Sequence, residues 1–154
     1  MIPLPITIDT REQTPWHFPP EQVVATVGTL KTADYAVTGD DDFAIERKSL
    51  DDFVGTIASG WDRFVKEIGR MAGWPARVVI VEGSFSELVF ETRQGEVIPP
   101  AHSHFRISPP FIMKRIGELT MLGVSVLFAE NAEYASALAV AILRQRAVEL
   151  GIAP

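Results

Sequence analysis

The sequence predicts an α/β fold, a mixed central sheet flanked by helices. Three observations predict it. Short runs rich in β-branched residues, such as Ile6-Thr7-Ile8, Arg77–Glu82 and Val124–Phe128, alternate with segments of helical apolar spacing. A Thr38-Gly39-Asp40-Asp41-Asp42 turn joins two further short runs, which makes part of the sheet antiparallel. At 154 residues, with 47% hydrophobic and 22% charged, the chain is long enough for one well-cored domain over residues 1–154.

The elements follow in order. Ile6-Thr7-Ile8-Asp9 alternates apolar and polar residues, so it reads as a strand that delivers Asp9 at its C-terminal end. Residues 10–20, with three prolines, read as a loop. Residues 21–30 place Val23, Val24 and Val27 at helical spacing and are expected to be a helix, although β-branched residues disfavour one. Asp34-Tyr35-Ala36-Val37 and Phe43-Ala44-Ile45-Glu46 read as paired strands that bring Asp34 beside Glu46. Ser49 is a helix N-cap with acids behind it, and Phe53, Val54 and Ile57 form the apolar face. After Ser59-Gly60, a second helix carries the stripe Trp61, Phe64, Val65, Ile68 and Met71 or Ala72, ended by Gly73 and Pro75. The continuous run Arg77–Glu82 is that of a strand buried on both faces. Residues 84–90 suit a short helix, and 91–107, with Gly95, Pro99, Pro100, His102 and His104, read as a loop or partly ordered excursion. Ser108-Pro109-Pro110 opens a helix to about Leu122, a strand follows, and Asn131 caps a last helix to about Leu150. Ala135, Leu138, Ala139 and Ile142 share one face of that helix; Ala135 is expected to pack within the domain, and a homodimer is left open.

The chemistry concentrates in Glu46-Arg47-Lys48 and Asp51. On a strand, the period of two puts Glu46 and Lys48 on one face and Ile45 and Arg47 on the other. A carboxylate and an ammonium then point into one site, with Asp34 and Asp9 arriving from separate strands. Acids at half-buried positions repel one another unless a cation joins them. The combination suits metal-dependent cleavage of phosphodiesters: carboxylates hold a hard cation, and Lys48 assists the water or the charge on the phosphorus oxygens. Glu46 and Lys48 alone would read equally as a salt bridge, and Asp51 alone as a stabiliser of the helix dipole. Zero cysteines exclude disulfides and thiolate sites, so oxygen ligands favour Mg2+ or Mn2+. His102 and His104 have ligand spacing, but their proline-bounded loop favours no metal there.

A net charge of −6 argues against a sequence-blind DNA coat, and implies modest DNA affinity without metal. Arg63, Lys66 and Arg70 lie at i, i+3 and i+7 and, with Arg11, are the candidate DNA contacts. Pairing with Asp62 and Glu67 explains the helical stripe as a solvated face, the plainer account, and Arg11 has Glu12 beside it. The Asp40-Asp41-Asp42 turn reads as solvated. No window has eighteen uninterrupted apolar residues and the first residues lack a signal-peptide pattern, so the expectation is a cytoplasmic protein without membrane contact.

Ile8-Asp9-Thr10-Arg11-Glu12, Asp34-Tyr35 and Glu46-Arg47-Lys48-Ser49-Leu50-Asp51 together resemble the nuclease domain of the XPF family of structure-specific endonucleases. The likeness continues through Gly55-Thr56-Ile57-Ala58-Ser59-Gly60, Asp62-Arg63, Arg70-Met71 and Val79-Ile80-Val81-Glu82-Gly83, strongest over residues 5–83. The resemblance implies a restriction-endonuclease-like fold and divalent-metal cleavage of branched, flapped or forked DNA. By position it implies metal binding at Asp34, Glu46 and Asp9, a catalytic role for Lys48, and orientation or phosphate contact for Arg47 and Asp51. Ala33 stands where family members usually show glycine, a change expected only to stiffen the backbone. The chain leaves no room for the tandem helix-hairpin-helix domain, which implies a stand-alone nuclease domain of the kind found in compact bacterial or viral genomes, and leaves its junction selectivity and its homodimer or partner protein open. The rival expectation is a non-catalytic DNA-binding or scaffold subunit on the same fold. RNA or plain duplex DNA as substrate is the third.

Overall fold

The computed structural model describes residues 1–89, 91–93, 96–98 and 107–152. Its strands are β1 (Leu4–Asp9), β2 (Val23–Gly28), β3 (Tyr35–Val37), β4 (Ile45–Ser49), β5 (Arg77–Glu82), β6 (Glu91–Arg93), β7 (Glu96–Ile98) and β8 (Val124–Phe128). The helices are α1 (Leu50–Ile57), α2 (Trp61–Arg70), α3 (Phe85–Val89), α4 (Pro109–Met121) and α5 (Ala132–Glu149). The main sheet runs β2-β1-β3-β4-β5-β8, while β6 and β7 pair separately. β3 is antiparallel to both neighbours, and the remaining pairs of the main sheet are parallel, so the sheet is mixed as expected.

The strand period sorts the core onto two sides. On β5, Val78 and Ile80 pack with α5 while Val79 and Val81 pack with α1, α2 and α4. Ala135, Ala139, Leu143 and Ala147 are fully buried under the first side, so the small face of α5 packs within the domain. On the second side Phe53, Val54, Ile57, Phe64 and Ile68 are buried, and Met71 rather than Ala72 completes the α2 stripe. Ser49 caps α1 by accepting the Asp52 N–H at 3.1 Å, and Asn131 caps α5 by accepting the Tyr134 N–H at 2.9 Å. Gly83, at φ +155, lets the chain leave β5 beneath Leu50, where a Cβ would lie 2.4 Å from a Leu50 carbon. None of the described helices is long and apolar enough to cross a membrane.

Two expectations are corrected. Residues 21–30 form no helix: β2 pairs in parallel with β1 from Leu4↔Val23 to Asp9↔Gly28. The β-branched content prevails over the spacing, because on this edge strand only Val23 is buried while Val24 and Val27 are 53% and 68% exposed, so no two-residue alternation marks the sequence. The 91–107 loop contains the β6–β7 hairpin. His102 and His104 lie outside the described residues.

Candidate active site

β4 supplies the centre of the site. Its pleat sets Glu46 and Lys48 side by side, with Lys48 Nζ 3.3 Å from Glu46 Oε1 and 5.9 Å above the Phe64 ring centroid. Glu46 is 7% exposed, and its second oxygen, Oε2, is buried with no hydrogen-bond partner. Asp34 precedes β3, where its N–H donates to the Ile45 carbonyl at 3.0 Å and its Oδ2 accepts the Arg47 backbone N–H at 2.8 Å. Burial pushes the Glu46 carboxyl up to about 8, with Asp34 and Glu67 adding to the rise and Lys48 opposing it. Burial likewise pushes Asp34 up to about 6, with Glu12 and Asp9 adding to it and the Arg47 N–H and Lys48 opposing. Two carboxyls that resist ionisation share a site with one ammonium.

Asp9 is placed at the end of β1 as expected but is otherwise engaged. Fully buried, it accepts Arg11 Nε at 2.6 Å and Arg11 N–H at 3.0 Å on Oδ2, and the Leu30 N–H at 2.8 Å on Oδ1. Burial opposes its ionisation, yet Arg11 and these N–H donors hold it below the usual carboxylate range. The sequence suggested three gathered acids; among the described residues no three metal-ligating side chains converge as a cage. Arg11 is 67% exposed and pairs with Asp9, not Glu12.

A cleft of about 570 Å³ opens beside Lys48 between α1 and α2, with Asp51, Thr56, Ser59, Arg63 and Glu67 on its walls. Gly60 lets the two helices meet, since a Cβ there would lie 3.2 Å from both the Gly55 carbonyl and the Thr56 Cα. Lys66 and Arg70 are exposed on α2 but do not line this cleft. The expected ion pairs to Asp62 and Glu67 do not form at Arg63, Lys66 or Arg70, which make none among the described residues.

Arg47 points to the opposite face of β4. Its Nε lies 2.5 Å from Glu82 Oε1, and its Nη1 lies 3.2 Å from Glu12 Oε2 and 2.6 Å from the Thr14 carbonyl. The sequence did not point to Glu82 or Glu12 as partners of Arg47, and it placed Glu67 on a solvated face rather than in the cleft. Glu82 had a signal in closing a strand that reads as fully buried, where an acid needs a partner. Asp40 is likewise no solvated turn residue: both its oxygens meet Arg146 of α5, at 2.7 and 3.1 Å. Ala33 sits at φ +67, so alanine there does more than stiffen the backbone: it holds a left-handed conformation that costs about 1–2 kcal/mol.

A mixed sheet covered by helices on both faces, with acids and a lysine projecting from adjacent central strands, defines a restriction-endonuclease-like domain. The ERCC4 domain model matches residues 8–142, and the chain belongs to that family. The resemblance to XPF read from the motifs is borne out. XPF from Aeropyrum pernix matches with a TM-score of 0.64 at 19% identity, covering 92% of this chain and 61% of that one. The structure titled XPF from Aeropyrum pernix, complex with DNA, gives 0.62 at 20% identity, covering 95% and 66%. The chain therefore spans less than two thirds of either structure. No curated protein sequence matches it.

Proposed function

We propose that the chain is a divalent-metal-dependent DNA endonuclease acting on branched, flapped or forked DNA. The observation that carries this reading is Glu46 Oε2, buried without a partner beside the Asp34 carboxyl. Burial and mutual repulsion make both acids reluctant to ionise, and a hard cation with oxygen ligands relieves both effects. Asp34 and Glu46 would hold Mg2+ or Mn2+, which when bound supplies Lewis-acid polarisation of the phosphate and activation of water. The remaining work falls to the chain's own groups. Lys48, steadied by Glu46 and Phe64 at the cleft wall, is placed to stabilise charge developing on phosphate oxygens. Arg63, Thr56 and Ser59 offer donors to a neighbouring phosphate of the same strand, and exposed Arg11 offers another. Asp51, which lines the same cleft, would orient what enters beside Lys48. DNA as the substrate is supported by the family and by the fold shared with an XPF whose structure is titled as a complex with DNA.

One observation favours the rival reading of a non-catalytic DNA-binding or scaffold subunit: Asp9 is tied to Arg11 and Leu30, which leaves two acids where three were expected. Labelled flap, fork, bubble and duplex DNA, incubated with Mg2+, Mn2+ or EDTA, separates the two. Metal-dependent nicking that is lost in Lys48→Ala and Asp34→Ala supports the endonuclease. Binding without cutting in either metal installs the scaffold reading instead.

A further inference from the structure

We propose that Glu82 and Glu12 are positioning residues, which clamp the Arg47 guanidinium on the far face of β4 and thereby hold the Arg47 backbone N–H on Asp34. The inference rests on reading Asp34 and Glu46 as cation ligands. One residue carries both halves of the device. Its backbone N–H donates to Asp34 Oδ2 at 2.8 Å on the side of the acids. Its side chain, on the other side, donates to Glu82 Oε1 from Nε at 2.5 Å, and to Glu12 Oε2 at 3.2 Å and the Thr14 carbonyl at 2.6 Å from Nη1.

The clamp is itself held. Trp16 Nε1 donates to the same Glu82 oxygen at 2.5 Å, and the guanidinium lies 5.0 Å from the Trp16 ring centroid. The Tyr35 hydroxyl donates to Glu12 Oε2 at 2.9 Å and accepts the Trp16 N–H at 3.0 Å. Arg47 Nη1 also lies 3.3 Å from that hydroxyl. Tyr35 follows Asp34 in sequence, and Arg47 stands between Glu46 and Lys48. The clamp therefore fixes the residues adjoining all three groups of the site, across two strands paired at Tyr35↔Ile45. Two carboxylates around one guanidinium exceed what charge neutralisation requires. Their geometry instead removes the freedom of Arg47 to rotate, as partners behind metal ligands do.

The rival is that these contacts merely staple residues 12–16 to the sheet. Glu82→Ala and Glu82→Gln are compared with Asp40→Asn, which breaks an ion pair on α5 away from the site. The readouts are Mn2+ affinity by calorimetry, hydrogen exchange of the Arg47 N–H in metal-free protein, and the split of cleavage into kcat and KM. Positioning predicts that Glu82→Ala weakens Mn2+ binding about tenfold and lowers kcat with little change in KM. It also predicts faster exchange at Arg47 than at the neighbouring β4 and β5 amides, with substantial recovery of all three in Glu82→Gln. Asp40→Asn should lower thermal stability and leave Mn2+ affinity unchanged. If Glu82→Ala loses only stability, with Mn2+ affinity and Arg47 exchange following Asp40→Asn, the clamp is a staple and the proposal falls. If the wild-type protein binds no Mn2+, the metal reading fails separately, and Arg47 exchange alone decides whether the clamp holds Asp34.

Discussion

Glu46→Gln should make the metal-free protein more stable at alkaline pH while abolishing its cleavage. The Glu46 carboxyl titrates at about 8 in the fold against an ordinary 4.5, and burial is the first cause. Below pH 4.5 both folded and unfolded states carry the proton, so the stability associated with this group is fully present. As pH climbs from 4.5 to 8 the unfolded state ionises and the folded one resists, so stability drains away until the folded group also ionises. At about 1.4 kcal/mol per pH unit the loss is roughly 3 kcal/mol at pH 7, with a ceiling of roughly 5 above pH 8. Asp34 shares the repulsion, so its own rise to about 6 is not added to this. Glutamine avoids the loss but gives Lys48 a neutral neighbour, which takes back about 1–2 kcal/mol. The net gain at pH 8.5 is about 3 kcal/mol, equivalent to roughly 6–12 °C in Tm for a chain of this length. Thermal unfolding in EDTA from pH 4.5 to 9 measures it: the wild type should fall away from Glu46→Gln as pH rises, and Mn2+ should rescue only the wild type. Parallel curves would mean that Glu46 ionises in the fold as readily as in the unfolded chain, and equal rescue of both proteins by Mn2+ would mean that Glu46 holds no cation.

Three further predictions follow from individual side chains. Arg63→Ala should raise KM for DNA and reduce the slope of log affinity against log salt by about one, measured by anisotropy across a salt series, because a single phosphate contact is lost. Arg11→Ala should act in opposite directions on two ligands: weaker DNA binding, and tighter Mn2+ binding by calorimetry as Asp9 loses the guanidinium at 2.6 Å that competes with a cation. Asp40→Asn should cost about 1–2 kcal/mol in denaturant unfolding, since it takes one of two carboxylates from Arg146 and leaves Glu149 at 3.5 Å, with kcat of the folded protein unchanged.

What the sequence made legible is what depends on short range. The alternation of Ile45, Glu46, Arg47 and Lys48, the cap at Ser49, the doubly buried Arg77–Glu82 strand and the cap at Asn131 are set within a few residues, and each is present. β2 failed because an edge strand buried only at Val23 has no alternation to read, and its valines happen to fit a helical repeat. Asp9 was placed on the right strand, but its engagement depends on the chain turning back so that Arg11 and Leu30 meet it from either side. The Asp40–Arg146 pair joins positions 106 residues apart, and the Glu82 contact to Arg47 exists only because β5 lies beside β4. Side-chain type announced the acids; which cation each one meets is decided by topology.

The contiguity of Glu46, Arg47 and Lys48 acquires a physical reason from this arrangement. An extended strand is the element that can aim two neighbours of a residue at one face while sending that residue to the other. Here the near face receives a carboxylate and an ammonium 3.3 Å apart, and the far face receives an anchor paired with Glu82 and Glu12. A helix would separate these directions by 100° steps and mix the roles of the residues. The backbone N–H of the anchor then reaches the acid on the next strand, so the same residue ties the far-face clamp to the near-face site. Inserting one residue between Arg47 and Lys48 would send Lys48 to the far face beside Arg47 and take from Glu46 the ammonium that now lies 3.3 Å from it. The triplet is thus constrained by both faces of the sheet at once, by the Glu46–Lys48 pair on one and by the Arg47 clamp on the other.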